Sequence, residues 1–502
     1  MTTSRLLKFN ILLLLLILLN CTAVRQLEQP QLPIDILRNE IDTILDDPRF
    51  YHGNIGLMIE SLQTGEIVYQ RDPYKLFMPA SNMKLFTTAA ALVRLEPEYE
   101  YVTSLLASGE TDVQNGILSG DLLIKGSGDP TFGSTYFEDD PLNAFQPWIA
   151  ELKDNGIKMI EGDIIGDDNI FDDVRFGPGW EYDDLPQSYA APTSGLCFAD
   201  NCIKVTVIPG VQPGDRAEIR LEPDISIFTI ENNASTVEPT RIQGVRFSRT
   251  VGENTIRISG TISIDHSPVT RYITVENPTL YTAAVFKELL ERNGIEVGGD
   301  AVDIDDLPED YESGREWESI VEDRSPYMHE IIRILNKVSH NFFADQLTKT
   351  LGKEYRDSGS FGSGIAVIKG FLSGAGIDPN NYYQYDGSGL SRYNLVMPAQ
   401  IASLLKYMKS HRYGSYYYDS LPVGGVDGTL ENRLKGSPAE EITHAKTGTI
   451  RWARALSGYV TSKDGEEFVV AMLINHYINP TSMSSLLQDR IFILLSNFNR
   501  EY

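Results

Sequence analysis

The two ends of the chain carry hydrophobic patterns that predict a layered structure of strands and helices. Apolar residues recur at helical spacing over residues 34–46, which predicts an amphipathic helix. Apolar stretches at Asn54–Ser61 and Glu66–Gln70 flank a Gln63-Thr64-Gly65 turn, a pattern typical of a β-hairpin. A run of helix-forming residues, Leu85–Leu95, predicts a second helix.

The C-terminal part completes this pattern. Thr443–Thr449, Ala455–Thr461 and Glu467–Asn475 read as three strands, and Met483–Phe498 as a closing helix. Two strands from the start and three from the end predict a five-stranded antiparallel sheet with helices on its faces. We therefore expect an α/β (α+β) domain whose two halves are far apart in sequence.

The middle of the chain has a different pattern. From Tyr101 to Glu276, short alternating segments are separated by Gly, Pro and Asp turns, with one helix near Leu142–Asn155. Helical patterns return at Leu280–Asn293 and Met328–Leu351. These patterns predict a catalytic domain interrupted by a β-rich insertion of two domains, one nested in the other. The predicted parts are the first catalytic part (30–98), the insertion (99–276) and the second catalytic part (277–502).

Residues 1–23 have the pattern of an export signal. A basic start precedes the apolar run Ile11–Leu19, which is shorter than the ~20 residues of a spanning helix. Cys21 lies where a bacterial lipoprotein would be lipidated, which would anchor the protein to a membrane. Cleavage after Ala23 is the alternative, and either interpretation predicts export to the cell envelope or periplasm.

Composition narrows the classes of function. The 502-residue chain has 42% hydrophobic residues and a net charge of −27, which disfavours binding to nucleic acid or to anionic membranes through charge. Cys197 and Cys202 could form a local disulfide or remain as buried thiols. Neither Cys-x-x-Cys nor His-Glu-x-x-His occurs, and the seven histidines are scattered, so we predict no metal or other cofactor.

The first candidate catalytic motif is Ser81-Asn82-Met83-Lys84. On a helix, Ser81 and Lys84 share a face with their Cβ atoms roughly 5–6 Å apart. A serine hydroxyl needs a neighbouring base, and a lysine serves only if desolvation or a nearby cation such as Lys446 lowers its pKa. The N–H of a serine at a helix start can also stabilise an oxyanion. The alternative is a helix cap with a solvated lysine.

The second motif is Ser339-His340-Asn341, in a predicted helix that breaks near Val338. In a catalytic interpretation Ser339 relays a proton to the leaving group, and Asn341 holds Lys84 and a carbonyl of the substrate. His340 would point away from the site and pack elsewhere. The alternative is an ordinary polar turn of a helix.

The third motif is Lys446-Thr447-Gly448-Thr449, in a predicted strand. Lys446 would provide positive charge for a substrate carboxylate and for the Ser339 relay, and Thr447 would hydrogen-bond that carboxylate. Gly448 would let a ligand approach the strand closely, and the Thr449 N–H would be a second oxyanion donor. The alternative is an exposed end of a strand.

The order and context of the three motifs favour one shared site. The first motif opens a helix, the last lies on a strand of the same predicted sheet, and no Gly-x-Ser-x-Gly elbow competes with them. The chain thus resembles the S13 peptidases, the low-molecular-mass class C penicillin-binding proteins, on a serine transpeptidase/β-lactamase-like fold. Further stretches are similar to that family: Gly128–Thr131, Gly179-Trp180, Ser188–Pro192, Asp386–Arg392 and Asp427–Leu430. Lys84 and Ser339 are 255 positions apart, which suits the inserted domains of S13 proteins and not a compact β-lactamase.

The resemblance implies a D-alanyl-D-alanine carboxypeptidase or endopeptidase that acts on peptidoglycan stem peptides and is inhibited by β-lactams. It implies Ser81 as the acylated nucleophile, Lys84 as its base, and Ser339, Asn341 and Lys446 as the relay. Some S13 proteins read the amino group of diaminopimelate with an Asp of the second domain. We assign that role to Asp167, with Asp168 next to it as the other choice of register.

Two alternatives remain at this level. One is a β-lactamase or D-esterase on the same fold, which would turn over a β-lactam quickly. The other is a non-catalytic lipoprotein that binds peptidoglycan, which the intact motifs disfavour.

Overall fold

The computed structural model describes residues 32–239 and 244–501. The predicted export signal and Cys21 lie outside these residues. Within them, no helix is both long enough and apolar enough to cross a membrane. The α-helices of the described residues are α1 (Pro33–Leu45), α2 (Met83–Arg94), α3 (Gln146–Asp154), α4 (Pro278–Arg292), α5 (Met328–Val338), α6 (Asn341–Arg356), α7 (Phe361–Gly374), α8 (Pro398–Ser410), α9 (Gly414–Ser420) and α10 (Thr481–Asn497).

The strands follow the same chain order. They are β1 (Asn54–Ser61), β2 (Ile67–Arg71), β3 (Val102–Ser108), β4 (Thr111–Asp112), β5 (Ile117–Leu118), β6 (Leu122–Lys125), β7 (Met159–Ile160), β8 (Ile164–Asp167), β9 (Cys202–Ile208), β10 (Glu218–Glu222), β11 (Thr229–Val237), β12 (Gly244–Arg249), β13 (Thr255–Ser263), β14 (Val269–Thr274), β15 (Glu296–Val297), β16 (Ala301–Asp303), β17 (Trp317–Arg324), β18 (Thr443–Ile450), β19 (Ala453–Thr461) and β20 (Glu467–Asn475).

The predicted central sheet is confirmed. Its five strands are antiparallel in the order β18-β19-β20-β1-β2, so the two ends of the chain meet where β1 pairs with β20. Successive residues of β1 point to opposite faces of the sheet: Leu57 and Ile59 belong to one buried core, and Met58 to another. Helices therefore cover both faces, as the apolar pattern of the strands requires.

The two cores use different helices. Apolar residues of α1 and α10, among them Ile41 and Ile491, pack on one face of the sheet. The other face packs against α2, whose residues Met83–Leu92 are all buried, and against α5, α6 and α8. Because α2 is surrounded by other elements, the turn that precedes it is held rigidly in the interior of the catalytic part.

The inserted region is β-rich and continues beyond its predicted end. Strands β16 and β17 complete a five-stranded sheet of order β16-β8-β6-β3-β17, in which Val102 pairs with Arg324. Helix α4 contributes Phe286 and Leu290 to the same core as Trp148. Residues 277–324 therefore pack with the inserted strands, although the prediction placed them in the catalytic domain. Strands β15 and β16 have only two and three residues, too few for an alternating pattern to be recognised in the sequence.

The two cysteines are buried free thiols. Cys197 Sγ accepts hydrogen bonds from Asn201 Nδ2 at 3.4 Å and Gln346 Nε2 at 3.0 Å. Of the two alternatives left open by the sequence, the structure contains the thiols and not the disulfide.

Candidate active site

Ser81 lies in a tight turn that leads into α2. The turn is a single 3₁₀ helix, Ala80–Asn82, and Ala80 has a left-handed φ of 47°, which is unfavourable for a residue other than glycine. The Asn82 Nδ2 group donates a 2.8 Å hydrogen bond to the carbonyl oxygen of Lys446. This bond attaches the turn that carries Ser81 to strand β18.

Lys84 connects all parts of the site. Its Nζ donates to Ser81 Oγ at 2.9 Å, Asn341 Oδ1 at 2.6 Å and the Ser388 carbonyl at 2.7 Å. The side chain is completely buried. The three acceptors come from three separate segments, so the amine is held in one position against the serine hydroxyl.

Lys446 approaches from the strand side. Its Nζ donates to Ser339 Oγ at 2.7 Å and to the Thr447 carbonyl at 3.0 Å. Like Lys84 it has no exposed surface. The three motifs predicted from sequence therefore meet in one place, each serine with its own lysine partner.

Burial sets the charge state of both amines. Burial lowers the pKa of Lys84 to about 7, and the nearby carboxyl groups of Asp345 and Asp386 oppose this shift. Burial likewise lowers the pKa of Lys446 well below its ordinary value, and repulsion from Lys84 adds to the effect. A pKa near neutrality allows Lys84 to be an unprotonated base, and desolvation is the main cause.

Ser339 occupies the predicted break between two helices. It ends α5 in a left-handed conformation, with φ 64° and ψ 44°. The next residue, His340, points away from the site as predicted: its ring lies 4.2 Å from that of Phe343, and its Nε2 is 3.4 Å from Asp200 Oδ2. Asn341 begins α6 and donates from Nδ2 to the Tyr189 carbonyl at 2.7 Å. The break thus turns Ser339 and Asn341 toward the lysines.

Strand β18 is the edge of the central sheet. The Thr447 hydroxyl forms a 2.8 Å hydrogen bond with that of Thr429. A Cβ atom on Gly448 would lie 3.0 Å from the Ser81 nitrogen, so only glycine allows the strand to pass so close to Ser81. Thr449 is exposed and lines the cavity described next.

A cavity of about 490 Å³ opens over Ser81. Asn341 and Thr449 line it together with charged side chains from both the inserted region and the catalytic part, namely Glu181, Asp184, Arg392 and Arg451. Arg392 Nε donates to Glu181 Oε1 at 2.5 Å, and the Tyr189 hydroxyl donates to Asp184 Oδ1 at 2.7 Å. The cavity can therefore receive a ligand that carries both positive and negative groups.

Asp167 does not line this cavity, contrary to the role that we assigned to it. It ends β8 opposite Lys125 of β6, and its carboxylate lies 3.7 Å from the Lys125 amine. Its Oδ1 accepts from the Asn169 N–H at 3.0 Å. The neighbouring Asp168 is also buried, accepting hydrogen bonds from the hydroxyls of Ser194 and Thr279. The register of the inserted strands turns both carboxylates away from the cavity.

Three carboxylates form a cluster outside the cavity. Oxygen atoms of Asp168, Asp303 and Asp305 lie within 4.8 Å of one another. Protein donors already hold two of them, because Asp303 Oδ2 accepts from Asn277 Nδ2 at 2.6 Å and Asp168 Oδ2 from two hydroxyls. These hydrogen bonds explain why the carboxylates lie close together.

Sequence reasoning missed several residues that shape the site. Asn82 lies inside the first motif, where only the serine and lysine attract notice. Thr429 and Ser388 belong to stretches recognised by resemblance but given no role. Asp184 belongs to an acidic turn that resembles any solvated loop. Asp184 differs from Asp167 in that it lines the cavity, which only the structure shows.

Comparisons with known proteins show which family the chain belongs to. The model of the D-Ala-D-Ala carboxypeptidase 3 (S13) family matches residues 37–493. A D-alanyl-D-alanine carboxypeptidase from Actinomadura sp. (strain R39) is 33% identical over 473 residues, covering 92% of this chain and 85% of the relative. The carboxypeptidase DacB of Haemophilus influenzae is 27% identical, covering 84% of this chain and 86% of the relative.

A solved structure has the same fold. The crystal structure of penicillin binding protein 4 (dacB) from Haemophilus influenzae matches with a TM-score of 0.78 and 25% identity, covering 90% of this chain and 97% of that chain. Because the family model spans most of the sequence and the motifs meet in one site, the chain belongs to the D-Ala-D-Ala carboxypeptidase 3 (S13) family.

Proposed function

We propose that this protein is a serine-type D-alanyl-D-alanine carboxypeptidase or endopeptidase that cleaves peptidoglycan stem peptides through an acyl-enzyme on Ser81. One observation carries the proposal: the buried Lys84 amine lies 2.9 Å from the Ser81 hydroxyl and has a pKa of about 7. A neutral amine at that distance is a competent general base for a serine nucleophile.

The first step is attack on the carbonyl carbon of a D-Ala-D-Xaa bond. Ser81 Oγ forms the new C–O bond while its proton passes to Lys84 Nζ. The N–H groups of Ser81 and Thr449 stabilise the oxyanion. When the C–N bond breaks, the leaving amine takes a proton from the Ser339 hydroxyl, which Lys446 replaces across their 2.7 Å hydrogen bond. Lys446 regains its proton from Lys84, which returns both amines to their initial state. Water then attacks the ester carbonyl while Lys84 takes one of its protons, and this proton passes to Ser81 Oγ as the C–O bond to the enzyme breaks.

The edge strand β18 is suited to hold the substrate. An extended peptide can add to a free sheet edge through main-chain hydrogen bonds, and Gly448 leaves room for its close approach. The Lys446 charge and the Thr447 hydroxyl then bind the carboxylate of the leaving residue. The hydroxyl of Thr429 supports that of Thr447 at 2.8 Å.

Asp184 replaces Asp167 as the candidate to bind the amino group of diaminopimelate. It lines the cavity over Ser81, whereas Asp167 is engaged with Lys125. The other cavity carboxylate, Glu181, is already paired with Arg392 at 2.5 Å. Among the described residues, the Tyr189 hydroxyl is the only group that hydrogen-bonds the Asp184 side chain, so its charge is available to a cationic ligand.

The cell envelope is the proposed location, because the substrate class lies there. The export pattern of residues 1–23 supports it, with lipidation of Cys21 or cleavage after Ala23 as the two routes. β-Lactams are the proposed inhibitors, since they present the same kind of acyl donor to Ser81. A crystal structure of the Haemophilus influenzae protein is described as a complex with a β-lactam.

Labelling with a fluorescent penicillin tests the proposal. The purified protein should form a stable adduct, and Ser81→Ala should abolish it because the acylated oxygen is gone. Ser373→Ala, a change on the exposed surface of α7, is the matched control and should label normally. Labelling of Ser81→Ala would show that the nucleophile is elsewhere.

Two further readouts separate the alternatives. Digestion of monomeric and cross-linked muropeptides, followed by mass analysis, distinguishes carboxypeptidase from endopeptidase activity. Fast turnover of the penicillin would favour a β-lactamase. If the protein were neither labelled nor able to digest muropeptides, a non-catalytic binding protein would be favoured.

A further inference from the structure

Asp345 is a completely buried carboxyl group behind Lys84, and none of the three motifs contains it. It lies one turn after Asn341 on α6, on the same face of the helix. Its Oδ1 accepts the N–H groups of Gly387 at 2.7 Å and Ser388 at 3.0 Å. The carbonyl of the same Ser388 accepts the 2.7 Å hydrogen bond from Lys84 Nζ. Asp345 therefore fixes the backbone of Gly387 and Ser388, and Ser388 in turn accepts the hydrogen bond from Lys84.

The second oxygen of Asp345 has no hydrogen-bond partner among the described residues. No basic side chain of those residues forms an ion pair with Asp345 either. Burial of an unpaired carboxylate is costly. The hydrogen bonds from Gly387 and Ser388 use only Oδ1. Holding this loop segment therefore does not by itself explain why the position has a carboxyl group with two oxygens.

Electrostatic coupling links Asp345 to the lysine. Burial raises the pKa of Asp345 well above its ordinary value, Asp386 raises it further, and Lys84 opposes the shift. In return, Asp345 and Asp386 counteract the lowering of the Lys84 pKa by burial. Lys84 and Lys446 repel each other, and this repulsion adds to the lowering of the Lys446 pKa by burial.

Asp386 differs from Asp345 in its surroundings. Its two oxygens accept four hydrogen bonds, from Gly389 N, Asn394 Nδ2, Trp180 Nε1 and Ser391 N. Its charge is therefore shared among fixed donors of the surrounding loop. The free oxygen of Asp345 leaves more of its charge to act on Lys84.

We propose that Asp345 is a positioning residue of the Ser81–Lys84 pair, which aligns Lys84 through Ser388 and offsets the positive charge that Lys84 gains from the Ser81 proton. The proposal rests on the proposed function. Before attack the amine is neutral and the proton is on Ser81. After attack the proton is on Lys84, whose positive charge opposes the rise of the Asp345 pKa and so favours the carboxylate form of Asp345. In this buried site the carboxylate stabilises the protonated lysine more than the neutral one.

The test compares wild type, Asp345→Asn and Thr350→Val by the second-order rate of acylation with a fluorescent penicillin between pH 5 and pH 10. The asparagine retains an oxygen for the two N–H groups but lacks the charge. Thr350 is a buried residue of the same helix whose hydroxyl bonds to Tyr101 at 2.9 Å, away from the lysine. Unfolding by denaturant checks that each variant is folded.

The wild-type rate should rise with pH through a midpoint near 7, where Lys84 loses its proton. A nearby carboxylate raises the pKa of a lysine, so its removal should move this midpoint to lower pH, by about one unit. The plateau rate should fall about tenfold or more, because the protonated lysine is less stabilised. Thr350→Val should keep the wild-type midpoint and rate.

Asp345→Glu retains the charge and should keep the wild-type midpoint even if its rate falls. Asp345→Ser, a smaller neutral variant, replaces the asparagine if that variant does not fold, and should shift the midpoint in the same direction. Neutral variants with the wild-type midpoint would overturn the proposal and leave Asp345 a purely structural residue. A wild-type protein that no penicillin acylates would overturn the proposed function, and this proposal with it.

Discussion

At the scale of single residues, the chemistry of a side chain in this protein depends on the burial of its polar atoms. The amines of Lys84 and Lys446 have no exposed surface, yet each has hydrogen-bond acceptors from other segments of the chain. Removal from water makes protonation costly, and this cost lowers the pKa of both lysines, to about 7 for Lys84. A lysine with the same neighbours in sequence but on the surface would remain charged and inactive.

Gly448 is a residue at which even the smallest substitution, to alanine, should strongly affect both stability and acylation. A Cβ atom there would lie 2.8 Å from the Pro79 oxygen and 3.0 Å from the Ser81 nitrogen, both backbone atoms that cannot rotate away. We expect Gly448→Ala to push β18 off the Ser81 turn, to destabilise the protein by about 1–3 kcal/mol and to reduce acylation strongly. Denaturant unfolding and penicillin labelling measure the two effects.

Gly370→Ala is the control for this change. Nothing lies within 4 Å of a Cβ atom at that position in α7, so alanine should stabilise the helix by up to about 1 kcal/mol without altering acylation. If Gly448→Ala behaved like this control, the close approach of β18 to the nucleophile would be irrelevant to the site.

At the scale of elements, the site depends on an interruption between two helices. Helix α5 ends at Val338 and α6 begins at Asn341, and Ser339 between them is left-handed. A continuous helix would place Ser339 and Asn341 about 200° apart around its axis, too far apart to meet the same pair of lysines. The break therefore puts both side chains into the site while His340 packs outside it.

The cost of that break is measurable at Ser339. Left-handed backbone costs a residue with a Cβ atom roughly 1–2 kcal/mol, and glycine avoids most of this cost. We expect Ser339→Gly to be more stable than Ser339→Ala by about 1 kcal/mol in denaturant unfolding. Both variants should lose most peptidase activity, because neither has the hydroxyl that receives the proton of Lys446.

Ser403, within α8, provides the matched comparison. In an ordinary right-handed helix the order should reverse, with Ser403→Ala more stable than Ser403→Gly by about 1 kcal/mol. Equal stabilities of the two Ser339 variants would mean that the break between α5 and α6 is not strained.

At the scale of the whole molecule, the inserted region contributes directly to the site. Trp180 of this region donates from Nε1 to Asp386 Oδ2 at 2.9 Å, and the Tyr189 carbonyl accepts from Asn341 at 2.7 Å. Asp386 in turn holds Gly389 and Ser391, on either side of the cavity residue Leu390. The two parts of the molecule are thus joined by polar contacts at the cavity.

Trp180→Phe tests this coupling. It removes one donor from the buried Asp386, which should destabilise the protein by about 1–3 kcal/mol. Acylation should also slow, since the segment that contacts Lys84 through Ser388 begins at Asp386. Unfolding and the acylation rate are measured on the same variant.

Trp452→Phe is the control, because that ring is 55% exposed and the change should alter stability by no more than about 0.5 kcal/mol. Wild-type stability and acylation in Trp180→Phe would show that the inserted region does not support the site through this bond.

The sequence by itself determined the central sheet, most helices and the residues that we propose to react. Alternating and helical apolar patterns are local properties, and β1, β20 and α10 could be recognised from them within a few residues. The motif residues could be recognised as well, because only a few side chains can serve as a nucleophile, a base or a carboxylate partner. The helix break near Val338 was also visible, since its polar residues interrupt an apolar pattern.

Only the tertiary structure decided which residues surround these groups. Two of the three acceptors of Lys84 come from positions 257 and 304 residues away in the chain, and no local pattern encodes such contacts. The choice of Asp184 over Asp167, the end of the insertion at Arg324 and the place of Asp345 behind the lysine likewise depend on how separate segments pack. Packing also excludes water from the two amines, and this desolvation gives the motif its basicity.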